Sequence, residues 1–200
     1  MNDFSLLEEW VKERLPWVRQ EQVEQLRSYA ALLYSWSGRM NLIAPGDREW
    51  LATRHLVPAL KMGAVIMGLP HRRIMDFGSG GGLPGVPLKI MLKDAEVLLV
   101  EGRRKRANFL REVVRRVELD NTLVLDERIE AIAPREEKRV DVVVSRAVAE
   151  PGKLLELVHP YLKPYGVVVT ALGPKGKKGP FMAKVEDTWR GGRSRIGVLR

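Results

Sequence analysis

The 200-residue sequence contains no cysteine, which excludes a disulfide framework and any thiolate zinc site. Three histidines, His55, His71 and His159, are the only imidazoles available to a metal, and no metal site is expected. Apolar runs of membrane-spanning length are missing, and the N-terminal MNDFSLLEEW carries acids where a secretion signal would carry bases. A cytoplasmic protein without a membrane partner is therefore expected. Acidic residues are also in deficit: 25 Asp and Glu face 34 Lys and Arg, a formal charge of +9. The surplus gathers in Arg103–Arg116 and Lys175–Lys178, which suits a polyanionic partner. It equally suits a solvated helix face, and composition leaves both open.

Glycine, by contrast, is concentrated in one place. Arg73 to Pro87 reads RIMDFGSGGGLPGVP, with Gly78, Gly80, Gly81, Gly82 and Gly85 following the apolar residues Ile74, Met75 and Phe77. The pattern predicts a buried strand, a glycine turn and a helix start, with Pro84 and Pro87 where a helix leaves N–H groups unpaired anyway. A backbone without Cβ atoms lets a ligand approach the main chain. Gly80, Gly82 and Gly85 fit G-x-G-x-x-G, and Glu101 ends the next apolar run where a ribose-binding acid is expected. Spacing alone leaves a nicotinamide enzyme and an S-adenosylmethionine (AdoMet) enzyme equally open. A tight βα turn that binds nothing is the plain alternative, disfavoured because so many glycines cost backbone entropy with no packing return.

Helical periodicity dominates the first 70 residues. Phe4, Leu7, Trp10, Val11 and Leu15 form one apolar face ended by Pro16, and a second helix runs from about Glu21 to Ser37 until Gly38, with Tyr34 and Trp36 expected in the core. Arg39–Pro45 is a connector, after which Asp47 is expected to N-cap a third helix through Arg54, His55, Leu56 and Leu60. From Arg72 the period changes to short apolar runs alternating with helices, the signature of a parallel sheet covered on both faces. Strands are expected at Ile74–Phe77, Glu96–Val100, Thr122–Leu125, Val140–Ser145 and Gly166–Ala171, with helices over Lys105–Val117 and Gly152–Leu162. Met182–Trp189 and Arg195–Leu199, around RGGRS, predict a closing hairpin. The fold class is thus α/β, Rossmann-like and mostly parallel with a C-terminal antiparallel hairpin. Residues 1–70 form its helical N-terminal extension and residues 71–200 its core.

Several segments, in this order, carry a resemblance: MNLIAP, RHL, DFGSGGGLPGVPLKI, KRANFLREV, ERIE and SRAVA, spread from about Met40 to Lys175. Together they resemble the bacterial 16S ribosomal RNA guanine-N7 methyltransferases, the glucose-inhibited division protein B family. The resemblance implies a class I methyltransferase with AdoMet as methyl donor, no metal, and 16S rRNA or the small ribosomal subunit as partner, acting as a monomer. It implies that Asp76, Gly78, Gly80 and Leu83 belong to the donor loop, that Glu101 takes the ribose, and that Ile129 and Glu130 pack beside the adenine. Arg146, with Asp76, matches the active site, while His55, Arg128 and Lys175 match positions facing substrate RNA. The sequence reads ALGPKG where the family pattern is close to ALKG, so Lys175 matches only if Gly173 and Pro174 are an insertion. The family activity needs no general base, because guanine N7 offers a lone pair and has no proton to lose. Competing readings are a nicotinamide oxidoreductase using the same loop and a noncatalytic RNA-binding or ribosome-assembly protein.

Overall fold

Helix α1 (Phe4–Arg14) buries Phe4, Leu7, Trp10 and Val11 along one stripe, and Leu15 leaves the helical region ahead of Pro16. This geometry comes from a computed structural model that describes residues 3–134, 139–146, 149–172, 181–189 and 192–200. Helix α2 spans Gln20–Met40, longer than the sequence suggests. Gly38 stays helical, at a cost of about 1 kcal/mol relative to alanine, and the helix ends instead at Asn41, in the left-handed region at φ 48°. Its buried stripe runs through Val23, Leu26, Tyr29, Ala30 and Leu33. Tyr34, expected in the core, sits on the outer side and donates its hydroxyl to Glu49 (3.3 Å), whereas Trp36 packs against Phe109.

The segment after the connector departs most from expectation. A 3-10 turn (Pro45–Trp50) leads into a π turn (Ala52–Leu56) and then α3 (Val57–Ile66). Pro58 explains the wide turn, since it has no N–H for the carbonyl of Arg54 and its ring would crowd that oxygen in an α-helix. Asp47 therefore is not an N-cap; its side chain turns to Arg54 and His55. The capping carboxylate comes from Asp3, which is buried and accepts from the Ala52 N–H (3.2 Å), the Thr53 N–H (2.7 Å) and the Thr53 hydroxyl (2.8 Å).

Seven strands form one sheet in the order β3-β2-β1-β4-β5-β7-β6. They are β1 (Arg73–Phe77), β2 (Glu96–Val100), β3 (Thr122–Leu125), β4 (Val140–Ser145), β5 (Leu162–Leu172), β6 (Phe181–Trp189) and β7 (Gly192–Leu199). The first five are parallel; β7 runs antiparallel to β5, and the outer β6 runs antiparallel to β7. Strand β5 begins four residues before the expected Gly166, and α6 (Pro151–Val158) ends short of the expected Leu162. Pro160 and Pro164 account for both differences: neither can supply a helical N–H, so a 3-10 turn at His159–Tyr161 hands over to an extended entry. That entry is bulged, the partner of β4 jumping from Leu162 to Val167.

Strand alternation sorts the core into two layers. Ile74, Val97, Leu99, Val142, Val144 and Val169 face α1–α3, α4 (Gly85–Met91) and α5 (Arg104–Arg116) in one apolar cluster. Met75, Leu98, Val100, Val143 and Val168 face the other side with Leu154 and Val158 of α6. The helical N-terminal segment thus shares its core with the sheet. Gln22 fastens it further by donating to the Ile90 carbonyl (2.6 Å), and Gln25 by donating to that of Val117 (2.9 Å).

Candidate active site

The glycine loop leaves the C-terminal end of β1, where parallel α/β sheets bind ligands. Gly78, Gly80 and Gly82 have φ of 76°, 56° and 90°, conformations that side-chain-bearing residues rarely adopt. The Gly78 and Ser79 N–H groups donate to the Val100 carbonyl (3.0 and 2.9 Å), pinning the loop to the end of β2. A Cβ on Gly80 would meet nothing nearer than 3.8 Å, whereas one on Gly85 would lie 2.5 Å from both Asp76 Oδ2 and Leu99 Cδ2. Gly80 is thus required by its positive φ, its Cβ position lying in ordinary contact with Arg106 Nη1 and the Gly78 carbonyl, and Gly85 is there for packing.

Asp76 supports the loop from below. Its buried carboxylate accepts the Gly85 N–H through Oδ2 (2.9 Å), and Oδ1 has no partner. Burial raises the pKa to about 7, reinforced by the Glu101 charge, with the Gly85 N–H, the adjacent Ser79 hydroxyl and the Arg146 charge pulling against it. Glu101 takes the Gly80 N–H on one oxygen (2.9 Å) and the Arg103 N–H on the other (2.8 Å). It holds the loop and the start of α5 together, and each oxygen keeps a second lone pair.

Arg146, immediately after β4, lies beside this corner because β4 pairs with β1. Its Nη2 is 3.1 Å from His55 Nδ1, and its Nη1 is buried without an acceptor. Burial lowers its pKa, opposed by the nearby Tyr29, Asp76 and Asp47. His55 Nε2 in turn lies 3.3 Å from Asp47 Oδ2. The structure therefore joins the π turn, β4 and β1 around one cluster containing Arg146, His55 and Asp76.

The remaining expected residues fall nearby or outside the described chain. Leu83 is half-buried against the first core cluster. Ile129 is buried on a 3-10 turn (Ile129–Ala131) beside the β1 and β2 ends, its carbonyl accepting from the Tyr161 hydroxyl (2.7 Å). Glu130 and Arg128 are exposed on the same segment. Lys175 and the basic run to Lys178 lie outside the described residues, as do Ala147 and Val148. The sequence reading missed Tyr29, which is fully buried and donates to the Gly81 carbonyl (2.7 Å). Its spacing from Leu26 and Leu33 marked it as core; only the hydroxyl on that apolar stripe hinted at a polar target. Burial, reinforced by Asp76, pushes its pKa up.

Next to the loop, α5 carries two kinds of cation. Arg115 and Arg116 are tied to Glu112, and Arg111 to Asn108 and Asp126. Arg103, Arg104 and Lys105, at the opposite end, are exposed and have no side-chain partner among the described residues. Cations at a helix N-terminus oppose its dipole, so local helix stability does not explain them.

A glycine corner on β1, a reversed β7 and a basic flank define a methyltransferase-type α/β protein. The fold is shared with a SAM-dependent methyltransferase from Aquifex aeolicus (TM-score 0.58, 19% identity, 78% of this chain and 97% of that chain). It is also shared with a mutant of MtNAS in complex with S-adenosylmethionine (TM-score 0.58, 17% identity, 99% of this chain and 84% of that chain). Such identities speak for the fold alone. The family is settled by sequence: residues 22–184 match the model for rRNA small subunit methyltransferase G, and the chain belongs to that family. Relatives named ribosomal RNA small subunit methyltransferase G include one from Roseiflexus sp. (strain RS-1), 39% identical over 78% of this chain and 66% of its own length. Another, from Clostridium novyi (strain NT), is 32% identical over 86% of this chain and 72% of its own.

Proposed function

We propose that the chain transfers a methyl group from AdoMet to N7 of a guanine in 16S rRNA, as naked RNA or within the small subunit. The observation that carries this reading is the juxtaposition of a left-handed glycine loop, an Asp76 oxygen and an Arg146 nitrogen, both buried without hydrogen-bond partners, at one sheet edge. Gly78, Gly80 and Leu83 would hold the methionine end of AdoMet, Glu101 its ribose, and Ile129 with Glu130 the adenine side. AdoMet supplies an electrophilic methyl on a sulfonium. A buried carboxylate oxygen without a hydrogen-bond partner suits a cationic donor, and a glycine loop free of Cβ atoms suits close backbone approach.

Arg146 would present a fixed donor to the acceptors of guanine, O6 and N7, or to the carboxylate of AdoMet. Because N7 has no proton to remove, alignment and field suffice, and no acid–base pair is needed. Arg103, Arg104 and Lys105 would hold RNA phosphates, with Arg128 and Lys175 as further contacts. In this reading the protein works as a cytoplasmic monomer without a metal. Among the described residues no cluster of three metal-type side chains occurs, and no helix is long and apolar enough to cross a membrane.

The test is transfer of labelled methyl from AdoMet to small-subunit particles and to deproteinised 16S RNA, with the base identified after digestion. N7-methylguanine is expected, and any other labelled base overturns the substrate assignment. Neutralising Arg103, Arg104 and Lys105 together should flatten the log–log salt dependence of RNA binding by up to about 0.7–0.9 per lost contact.

A further inference from the structure

We propose that His55 acts as a neutral hydrogen-bond acceptor that positions Arg146 through its Nδ1. For turnover this rests on the methyl-transfer reading; for the arrangement itself it does not.

The chemistry of the contact dictates the assignment. A guanidinium has only N–H donors, so the 3.1 Å approach of Arg146 Nη2 to His55 Nδ1 is a hydrogen bond only if Nδ1 brings a lone pair. The proton must then sit on Nε2, which is buried without a hydrogen-bond partner; Asp47 Oδ2, 3.3 Å away, acts on the ring by its charge. Asp47 is itself held by Arg54 (2.6 Å). The imidazole is only 13% exposed, so water is a poor substitute for Arg146.

The bond also selects which arginine nitrogen is free. With Nη2 committed to His55, Nη1 is left buried without an acceptor. A guanidinium is planar and rigid, so fixing one nitrogen constrains the direction of the other. His55 thus aims Arg146 without touching substrate, which makes it a positioning residue. The π turn contributes directly, because the Asp3 carboxylate bound to Ala52 and Thr53 anchors the turn that carries His55.

Protonation would break the arrangement, since an imidazolium and a guanidinium are both donors and both positive. The groups facing the pair are Arg54 on the same turn, Asp47 from the preceding 3-10 turn, Arg146 after β4, and, around Arg146, Tyr29 of α2 and Asp76 of β1. Burial first and Arg146 second pull the His55 pKa down, while Asp47 pulls it up. The neutral form therefore persists to lower pH than for a free histidine, and the aim of Arg146 is lost as pH falls through that depressed value.

Two measurements test this. Long-range ¹⁵N–¹H spectra of the ring nitrogens, assigned by loss of the signals in His55→Asn, should show the neutral Nε2–H tautomer at about pH 7.5 and a pKa below the free value of about 6.5. Asp47→Asn should lower that pKa further, because the ring loses the nearby negative charge. An Nδ1-protonated or cationic ring near neutral pH overturns the proposal whatever the activity. In the methyl-transfer assay His55→Leu should lose kcat by about 10–100-fold, with KM for RNA changed by less than about threefold. His55→Asn, whose amide oxygen can replace Nδ1, should recover most of the rate and lose the acid limb of the pH profile. Parent-like kcat in His55→Leu, or an acid limb retained in His55→Asn, also overturns it. A parent chain with the expected tautomer that methylates neither RNA substrate overturns the substrate reading instead, and leaves the His55–Arg146 arrangement standing.

Discussion

The two edges of the sheet treat charge differently. At the N-terminal edge an open cavity of about 1000 Å³ is lined by His71, Arg72, Arg73, Glu96, Arg139 and Lys163 among others. Of the carboxylates in and beside its lining, Glu96 holds Arg73 (2.6 Å), the neighbouring Asp141 receives the Arg73 N–H (2.8 Å) and Lys163 (2.7 Å), and Asp94 is exposed to water. At the C-terminal edge a buried carboxylate oxygen of Asp76 and a buried guanidinium nitrogen of Arg146 have no hydrogen-bond partners. Arg139 Nε at the N-terminal edge is also buried without an acceptor, but no carboxylate oxygen there is among the buried unpaired atoms of the described residues. A surface whose ion pairs are closed has nothing to gain from a ligand, whereas unpaired buried charges are costly and persist where a ligand completes them.

The strongest way to break the comparison is to disturb the support of the C-terminal edge. Gly85→Ala places a Cβ 2.5 Å from Asp76 Oδ2 and from Leu99 Cδ2, both packed and neither free to swing away. We expect a loss of roughly 2–4 kcal/mol in denaturant unfolding and no measurable AdoMet binding by calorimetry. Gly152→Ala serves as the control, since its Cβ meets nothing within 4 Å in α6. AdoMet binding by Gly85→Ala at the parental affinity would remove the loop from the donor site. Arg146→Lys, which keeps the charge but loses the planar fork, should retain the fold and lose methyl transfer by about tenfold or more.

A smaller and more diagnostic effect comes from Asp76. Its folded pKa of about 7 lies above the ordinary value of 3.8, so the fold favours the protonated carboxyl. Its stabilising contribution is full below the unfolded value, is lost as pH rises through the folded one, and is flat above that. Asp76→Asn should therefore melt higher than the parent at about pH 8, by a margin worth roughly 1–4 kcal/mol, and show a shallower decline between about pH 4 and 7. It should also bind the cationic donor at least about tenfold more weakly. Below about pH 7, binding to the parent should release a proton, visible as a buffer dependence of the calorimetric heat. A variant less stable than the parent at the higher pH would show that the orphan oxygen is not a liability held for a ligand.

Most of this edge was legible in the sequence, because strand residues alternate and glycine turns announce themselves. β2, β3 and β4 have the bounds that Glu96–Val100, Thr122–Leu125 and Val140–Ser145 predicted, and the place of Arg146 beside the glycine loop follows from β4 pairing with β1. What stayed hidden depends on contacts distant in sequence. Asp47 looked like a helix cap because local chemistry favours that role, but Pro58 widens the turn and Asp3, 49 residues before Ala52, supplies the carboxylate. Tyr29 was equally opaque: periodicity buries it, and only the packing of α2 on the loop gives its hydroxyl the carbonyl of Gly81. The entry of β5 was masked by Pro164, since a strand residue that cannot donate reads as a turn.

The least effect should come from the N-terminal edge, and its smallness is the point. Lys163 is 42% exposed along its side chain, and its partner Asp141 is 11% exposed. Lys163→Met removes the 2.7 Å ion pair but leaves Asp141 the backbone N–H of Arg73 and the nearby Arg73 charge. A half-exposed pair of this kind contributes about 0–1 kcal/mol after screening, so the melting temperature should fall by no more than about 4 °C. AdoMet affinity and the rate of methyl transfer should stay within about twofold of the parent, because the whole length of the parallel strands separates this edge from the glycine loop. If Lys163→Met instead weakened AdoMet binding by tenfold or more, the two edges would be coupled through β4 and β5. The closed ion pairs of the N-terminal edge would then belong to the same machinery as the unpaired charges of the C-terminal edge.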